Sequence, residues 1–550
     1  MRTIDRRIGL LFAGFLLCFL VIFARAFWLQ GVQGAELASE ASYQQTEAVT
    51  IPGLRGSVLD RHGKALAVSE DAATIFATPY QVETPRRTAE RLAAILGEDG
   101  ADVLASLTED SGFSYIAKKV DMPAAARVER LELPGIGQLP DSRRTYPQGT
   151  MAGQVIGAVG DEGQGLTGLE IGQDSILGGA DGERLIVKDA LGEPIRLDTI
   201  SEASDGEDIR LTLDPAIQSK AEAVLEGVGA TYSPRGATAI VMDPRSSEVL
   251  AMANWPPVDP ADLSGADPES LINRATGFTY EPGSTFKAFT VAAALEGGTV
   301  SAGSAFTLPP TIQVADRVIE ESHPRGTVTL SVADILAQSS NVGAVTIGRL
   351  LGSEKFSRWI DRFGFGRTTG VRFPAEEIGI VPALESYSGS TMGNLPLGQG
   401  LAVTPMQMMA AYATIAGNGV LRRPRLIEEI DGEPTGGQQG RRVIGADVAA
   451  EVRAMLEGVL AAGGTAAEVD VPGYTLAGKT GTSQVAENGT YSETKYVASF
   501  IGFAPAQDPR LLVAVIVDQP QGDYYGGSVA APAFGKIARF ALPYLGVPPQ

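Results

Sequence analysis

Cysteine and histidine are scarce in this sequence of 550 residues. Cys18 is its single cysteine, so no disulfide can form within the chain and no cysteine cluster can bind a metal or support redox chemistry. The two histidines, His62 and His323, lie far apart, and neither stands in the pattern of a nucleophile elbow. We therefore predict no metal site and no cofactor, and any catalytic base should be another residue type.

Positive charge is also in short supply. Lysine and arginine total 44 against 65 acidic residues, which gives a net charge of -21, and no run of basic residues occurs. A nucleic-acid phosphate backbone requires a basic face, so we expect no nucleic-acid partner. A hydrophobic content of 44% and a charged content of 20% are usual for globular proteins and exclude a wholly disordered chain.

One uncharged apolar run, residues 8–24, lies near the N-terminus. It has the minimum length of a membrane-spanning helix, about 17 residues. The charges before it are mostly basic: Arg2, Arg6 and Arg7, against Asp5. Basic flanks stay in the cytoplasm, so we predict a single-pass anchor in the cell (inner) membrane, a cytoplasmic tail at 1–7 and an extracytoplasmic remainder. Residues 24–26 also fit a signal-peptidase site, so a cleaved signal is the alternative.

A polar, acidic segment at 202–208 divides the exported part. We predict one domain at 25–205 and a second at 206–550. The second domain has strand candidates near both of its ends, with a long helical section between them. The candidates are 237–242 and 249–253 near the start, and 474–477, 497–503 and 511–517 near the end. This order predicts an α+β fold in which both ends of the domain contribute to one antiparallel sheet with helices on its faces.

A serine and a lysine three residues apart open a predicted helix that ends at Glu296. Ser284 becomes a nucleophile only if a base removes its proton, and a neutral Lys287 on the same helical face is such a base. The lysine pKa must then fall by roughly 3 units, through burial or a second cation. The same spacing recurs at Ser492 and Lys495, in a segment that we predict to be a solvated polar loop.

Two further patterns each occur once. Ser339-Ser340-Asn341 lies between two predicted helices, and Lys479-Thr480-Gly481-Thr482 follows the predicted strand 474–477. Ser-x-x-Lys, Ser-x-Asn and Lys-Thr-Gly in this order, on helix, loop and strand, are typical of the penicillin-recognising serine enzymes.

The chain resembles the class B penicillin-binding proteins, which are monofunctional peptidoglycan D,D-transpeptidases, and most of all the division (septal) type. Besides the three motifs, the resemblance rests on Arg55-Gly56 with Asp60-Arg61 and Gly63, and on the segments 281–287, 398–405 and 524–532. It implies a penicillin-binding transpeptidase domain at 206–550, with helices on both faces of an antiparallel sheet. It also implies an elongated N-terminal α+β pedestal, or interaction domain, at 25–205.

The resemblance also implies roles for the motif residues. Ser284 would attack a D-Ala-D-Ala stem peptide, Lys287 would be the base, Ser339 would relay a proton, and Asn341 would hold the substrate amide. Lys479 would keep Lys287 neutral and attract the substrate carboxylate.

The remaining roles concern binding. Thr480, Gly481 and Thr482 would bind the substrate, and the backbone N–H groups of Ser284 and Thr482 would form an oxyanion hole. An amine of a second stem peptide would then receive the acyl group, whereas a β-lactam would remain on Ser284.

The expected partners follow from the same resemblance: peptidoglycan stem peptides or their lipid-linked precursor, β-lactam antibiotics, the membrane, a membrane glycosyltransferase and other cell-wall-synthesis proteins. Three functional alternatives stay open. These are a D,D-carboxypeptidase, a β-lactamase and a non-catalytic penicillin-binding sensor or scaffold. The lactamase pattern Glu-x-x-x-Asn occurs at Glu269 to Asn273, before Ser284 and so in the wrong order. Elongation is the alternative to a role in division.

Overall fold

A computed structural model describes residues 2–33, 46–188, 194–436, 439–487 and 489–550. The chain forms two compact units. The first contains 1–54, 71–143 and 179–206, and the second contains 55–70, 144–178 and 207–550.

The N-terminal segment is helical. An α-helix, Arg2–Phe27, continues into one π-helical turn, Trp28–Val32. Within residues 6–32, an 18-residue window has a mean hydropathy of 2.5, and no residue of that window is buried. By length and composition this helix could cross a membrane, a test that a secretory signal also meets. The predicted segment 8–24 lies inside it.

The first unit contains two separate groups of paired strands. A three-stranded antiparallel sheet has Gly182–Lys188 in the middle, between Thr46–Ile51 and Pro194–Ser201. Elsewhere in the unit, residues 72–77 of the strand Ala65–Ala77 pair with Ser114–Asp121. The remaining elements are the helices Pro85–Leu96, Gly100–Leu107 and Met122–Glu129, the 3-10 turn Pro79–Gln81 and the strand Ile136–Thr145.

A five-stranded antiparallel sheet is the centre of the second unit. Its strands lie in the order Val249–Trp255, Gly236–Met242, Leu511–Asp518, Thr490–Ala504 and Ala477–Glu487. Every residue of Gly236–Met242 and of Leu511–Asp518 is buried, which requires cover on both faces of the sheet. The predicted α+β fold, with one antiparallel sheet built from both ends of the domain, is confirmed.

Helices supply that cover. Pro215–Tyr232 and Ala531–Tyr544 pack against each other and the sheet, as do Pro405–Ala416 and Ala446–Glu457. The other α-helices of this unit are Gly153–Ile156, Gly168–Gly172, Asp174–Leu177, Arg274–Gly277, Lys287–Glu296, Val332–Ala337, Asn341–Leu351, Ser353–Arg362, Thr391–Asn394 and Gly526–Val529. Short 3-10 turns lie at Gly283–Phe286, Leu384–Ser386 and Leu395–Leu397.

Smaller strands complete the second unit. They are Val58–Leu59, the start of Ala65–Ala77, Ile209–Leu211, Ala305–Leu308, Thr311–Val314, Arg317–Glu320, Val328–Ser331, Val420–Leu421, Ile427–Ile430, Glu433–Pro434 and Arg441–Arg442. In the same unit, the Arg55 side chain is buried against the Glu170 carboxylate, which also receives a 2.8 Å hydrogen bond from Arg144.

Two predictions near the third motif are wrong. The strand predicted at 474–477 begins at Ala477 and runs to Glu487, so Lys479 lies within it. The segment around Ser492, predicted as a loop, belongs to the strand Thr490–Ala504. The hydrophobic pattern did not predict these two strands correctly. The strand Ala477–Glu487 buries polar side chains, and the start of Thr490–Ala504 exposes polar side chains to solvent.

Candidate active site

The turn that holds Ser284 is fixed by contact between two backbones. Ser284 lies in the 3-10 turn Gly283–Phe286, which leads into the helix Lys287–Glu296. The Gly283 N–H donates to the Gly398 carbonyl at 3.0 Å. A Cβ on Gly398, whose φ is +78°, would lie 2.3 Å from the Gly283 oxygen, so only glycine fits there. Ser284 is therefore held, half-buried, at the tip of a helix.

Lys287 is completely buried one turn further on. Its Nζ lies 2.6 Å from the Ser339 carbonyl oxygen and 2.7 Å from Asn341 Oδ1. Ser339 Oγ is 3.3 Å away. Burial lowers the Lys287 pKa to about 7, and the negative charge of Glu321 opposes this fall. A neutral amine has two N–H groups and one lone pair; the two close acceptors engage both donors and leave the lone pair free to take a proton.

Ser339 has a left-handed backbone that directs its carbonyl to this amine. Its φ is +58°, a conformation that non-glycine residues rarely adopt and that costs on the order of 1–3 kcal/mol. The next residue, Ser340, caps the helix Asn341–Leu351 by accepting from the Gly343 N–H. The Asn341 Nδ2 donates to the Glu320 carbonyl at 2.8 Å, which fixes the orientation of its amide. Both polar residues that face Lys287 are thus held in place by neighbouring contacts.

Glu321 is a site residue that the sequence did not predict. Its carboxylate accepts from Ser340 Oγ at 2.6 Å and from the Asn341 N–H at 2.7 Å, and it pairs with Arg325. The strand Arg317–Glu320 delivers it to the Ser-x-Asn motif. Since this contact spans about twenty residues of sequence and follows no short spacing rule, no local signal could have revealed it.

We expect Glu321→Gln to move the acid limb of the pH–rate profile for penicillin acylation to lower pH. The amide keeps one of the two acceptor oxygens of Glu321 and removes the charge that raises the Lys287 pKa, so that pKa should fall below about 7. Stopped-flow acylation between pH 5 and 8 measures this. The matched control is Glu320→Gln, an exposed neighbouring carboxylate. An unmoved limb, or an equal shift in the control, would rule out this role for Glu321.

The strand Ala477–Glu487 is the last strand of its sheet and holds the third motif. Lys479 is fully buried, and burial followed by the charge of Lys287 lowers its pKa. Thr480 Oγ1 lies 2.6 Å from Thr465 Oγ1. Thr482 Oγ1 accepts from the Gly526 N–H at 3.0 Å, so its own proton is available to a ligand.

Gly481 lies where three groups converge. A Cβ there would lie 2.4 Å from Ser499 Oγ and 3.0 Å from both the Pro282 carbonyl oxygen and Thr285 Cγ2, at the turn Gly283–Phe286. The absence of a side chain therefore lets the strand approach that turn closely.

We expect Gly481→Ala to slow penicillin acylation by about tenfold or more and to lower the melting temperature. The methyl group pushes the strand Ala477–Glu487 away from the turn Gly283–Phe286. Overpacking of this kind costs about 1–3 kcal/mol. Acylation rates and thermal unfolding measure the two effects. Gly227→Ala is the control, since its helical site is exposed and has no atom within 4 Å of the added Cβ. A rate for Gly481→Ala equal to that of the control would show that this close approach is dispensable.

One cavity of about 450 Å³ collects residues from all three motifs. Its lining includes Ser284, Ser339, Thr480 and Thr482. Lys287 contacts Ser339 and Asn341, and the Lys479 Nζ lies 3.3 Å from Thr480 Oγ1. The structure thus brings the predicted site residues together around one opening, with Gly481 in the same strand.

The cavity has further walls that the motifs did not predict. His323, Thr465 and Tyr525 also line it, and the rings of His323 and Tyr525 lie 6.3 Å apart. The second Ser-x-x-Lys copy does not contribute to the lining. Its Lys495 instead pairs with Glu487 at 2.6 Å, and its Ser492 accepts from the Lys495 N–H.

Two family models match this chain. One, described as the penicillin binding protein transpeptidase domain, matches residues 237–539, and the other, described as the penicillin-binding protein dimerisation domain, matches residues 50–211. Stage V sporulation protein D of Bacillus subtilis is 36% identical, with 100% of this chain and 87% of that protein covered. Peptidoglycan D,D-transpeptidase FtsI of Escherichia coli is 32% identical, with 100% and 93% covered.

Solved structures agree with these matches. Penicillin binding protein 3 from Mycobacterium tuberculosis, complexed with aztreonam, superposes with a TM-score of 0.72 at 29% identity, over 91% of this chain and 98% of that chain. A peptidoglycan synthetase from Bifidobacterium adolescentis gives 0.74 at 28% identity, over 92% and 98%.

Proposed function

The chain belongs to the class B penicillin-binding proteins, and we propose that it is a serine D-Ala-D-Ala transpeptidase that cross-links peptidoglycan and is acylated by β-lactams. The observation that supports this most strongly is the buried amine of Lys287. It lies next to Ser339 and Asn341, one helical turn after Ser284. A buried lysine with a pKa of about 7 is a suitable base for a serine hydroxyl at neutral pH.

The first half of the reaction forms an ester. Ser284 Oγ attacks the carbonyl carbon of the penultimate D-Ala while the Lys287 lone pair takes its proton. The peptide bond to the terminal D-Ala then breaks, and the proton passes through the Ser339 hydroxyl to the departing amine. Asn341 holds the substrate amide. In the second half, an amine of another stem peptide attacks the ester carbonyl and forms the amide cross-link, the bond to Ser284 Oγ breaks, and the proton lost by the amine returns to Ser284 Oγ.

The strand Ala477–Glu487 binds the substrate in this proposal. Lys479 contributes positive charge, which attracts the terminal carboxylate and disfavours a proton on Lys287. The Thr480 and Thr482 hydroxyls bind that carboxylate, next to Gly481. Backbone N–H groups of Ser284 and Thr482 stabilise the oxyanion, since the first N–H groups of a helix and the outer N–H groups of an edge strand are not used within those elements.

Two parts of the chain support the proposed cellular setting. We propose that residues 8–24 anchor the protein in the membrane, with 1–7 in the cytoplasm, 25–205 as the pedestal and 206–550 as the extracytoplasmic transpeptidase domain. The basic residues before the apolar run support this orientation. A membrane glycosyltransferase and other wall-synthesis proteins are the proposed partners. The segments 281–287, 398–405 and 524–532 favour a role in division over elongation.

Product analysis tests the proposed reaction. The full chain in detergent is incubated with a stem peptide ending in D-Ala-D-Ala, with and without an amine acceptor. We expect released D-Ala together with an acceptor-dependent cross-linked product, and neither product from Ser284→Ala. Release of D-Ala with water as the only acceptor would instead identify a D,D-carboxypeptidase. Rapid turnover of a chromogenic cephalosporin would identify a β-lactamase, and no product with any substrate would favour a sensor or scaffold.

A further inference from the structure

The second unit has another cavity, of about 330 Å³, that shares no lining residue with the active site. Four arginines line it: Arg367, Arg422, Arg423 and Arg441. Its wall includes Gln407 and Ala410 of the helix Pro405–Ala416. We call it the arginine cavity. Such a concentration of cations is unexpected in a chain with a net charge of -21.

The fold itself brings these arginines together. The short strands Val420–Leu421 and Arg441–Arg442 pair so that Leu421 faces Arg441, and Arg422 follows directly. Arg441 donates to the Arg362 carbonyl at 2.7 Å, which holds its guanidinium in place. The Arg423 side chain lies across Gly370, where an added Cβ would be 3.0 Å from its Cδ. The cavity is therefore lined by at least two side chains that packing and hydrogen bonding hold in position.

The charge of the cavity is not balanced. Arg367 forms an ion pair with Asp361. Within the described part of the chain, Arg422, Arg423 and Arg441 have no carboxylate partner. Burial lowers the Arg441 pKa, and the neighbouring charges of Arg367 and Arg362 lower it further. A bound anion would relieve the repulsion between these cations.

We propose that the arginine cavity binds a diphosphate group, either free or attached to a lipid. Guanidinium groups match phosphate oxygens with paired N–H donors, and three unpaired arginines match the several charges of a diphosphate better than those of a single monovalent anion. The volume is at the lower end of ligand sites, about 300–1,000 Å³, and so suits a compact charged group. This proposal does not depend on the proposed transpeptidase activity.

Titration calorimetry with inorganic pyrophosphate tests the site on the full chain in detergent. We expect the triple variant R422A/R423A/R441A to bind more than tenfold more weakly than the unmodified protein, a difference of about 1.4 kcal/mol. The control is R86A/R87A/R91A on the helix Pro85–Leu96, which removes the same charge from three exposed positions. It should bind within about twofold of the unmodified protein. No binding of pyrophosphate, or equal weakening in both variants, would overturn the proposal.

A milder variant separates binding from folding. Arg441 contacts the backbone, so its loss could disturb the local structure, whereas R422Q/R423Q leaves that contact intact. We expect this double variant to lose pyrophosphate affinity while its penicillin labelling stays unchanged. Sulfate should bind at least tenfold more weakly than pyrophosphate, and equal affinity for the two would refute a diphosphate site. A prenyl diphosphate that binds tighter than pyrophosphate would identify a lipid-attached source, and equal binding would identify the free ion.

Discussion

Ser284→Ala should fail to form a covalent adduct with a fluorescent penicillin. The hydroxyl of Ser284 is the proposed attacking group, and alanine supplies no atom that can form the ester. Loss of a serine nucleophile from an enzyme of this mechanistic type costs on the order of 10⁶ in turnover. Gel fluorescence after labelling measures the adduct, and a melting curve verifies the fold, which a half-buried serine should affect by less than about 0.5 kcal/mol.

The chain offers a matched control for this experiment. Ser492 has the same spacing to Lys495 as Ser284 has to Lys287, yet it does not line the site cavity. Ser492→Ala should therefore label as strongly as the unmodified protein. Persistent labelling of Ser284→Ala, with loss of labelling in Ser492→Ala, would mean that the nucleophile is the other serine.

Lys287→Gln should slow acylation by about 10²–10⁴-fold, the usual contribution of a general base. Glutamine can still donate hydrogen bonds toward Ser339 and Asn341, but it cannot take the Ser284 proton. Lys495→Gln makes the same substitution outside the cavity and should leave the rate within about twofold. Stopped-flow acylation with a reporter β-lactam measures both variants. Equal rates for the two variants would exclude Lys287 as the base.

The same lysine predicts the pH dependence. Its active form is the neutral amine, and protonation occurs as pH falls through the pKa of about 7. The acylation rate should therefore plateau above that pH and fall about tenfold per pH unit below it. Lys287→Gln should have no such limb. A wild-type rate that rises as the pH is lowered through this range would contradict a neutral lysine base.

The three motifs predicted the composition of the site because each combines a short spacing with a recognisable local element. Ser284 and Lys287 share one helical turn, and the capped helix after Ser340 follows ordinary N-cap chemistry. The sheet was also predictable, since its central strands are apolar throughout. Periodicity and propensity capture interactions of this local kind.

The remaining features depend on contacts between distant segments. Glu321 reaches Ser340 and Asn341 only because of where its hairpin folds, and His323 lines the cavity for the same reason. We predicted that Lys479 follows a strand, because the apolar run ends at Ala477. In the structure the strand begins at Ala477 and includes Lys479, which is buried. Hydrophobic patterns predict that polar residues are exposed. Sites that bury a polar group for catalysis are therefore predicted wrongly from such patterns.

Mass spectrometry of the penicillin-labelled, trypsin-digested protein tests the central claim most directly. Cleavage after Arg274 and Lys287 yields the peptide 275–287, and cleavage after Lys479 and Lys495 yields 480–495. We predict that the penicilloyl mass lies on the first peptide, with fragment ions that place it on Ser284. Attachment to the second peptide, or to any other part of the chain, would contradict the assignment of Ser284 as the acylated residue.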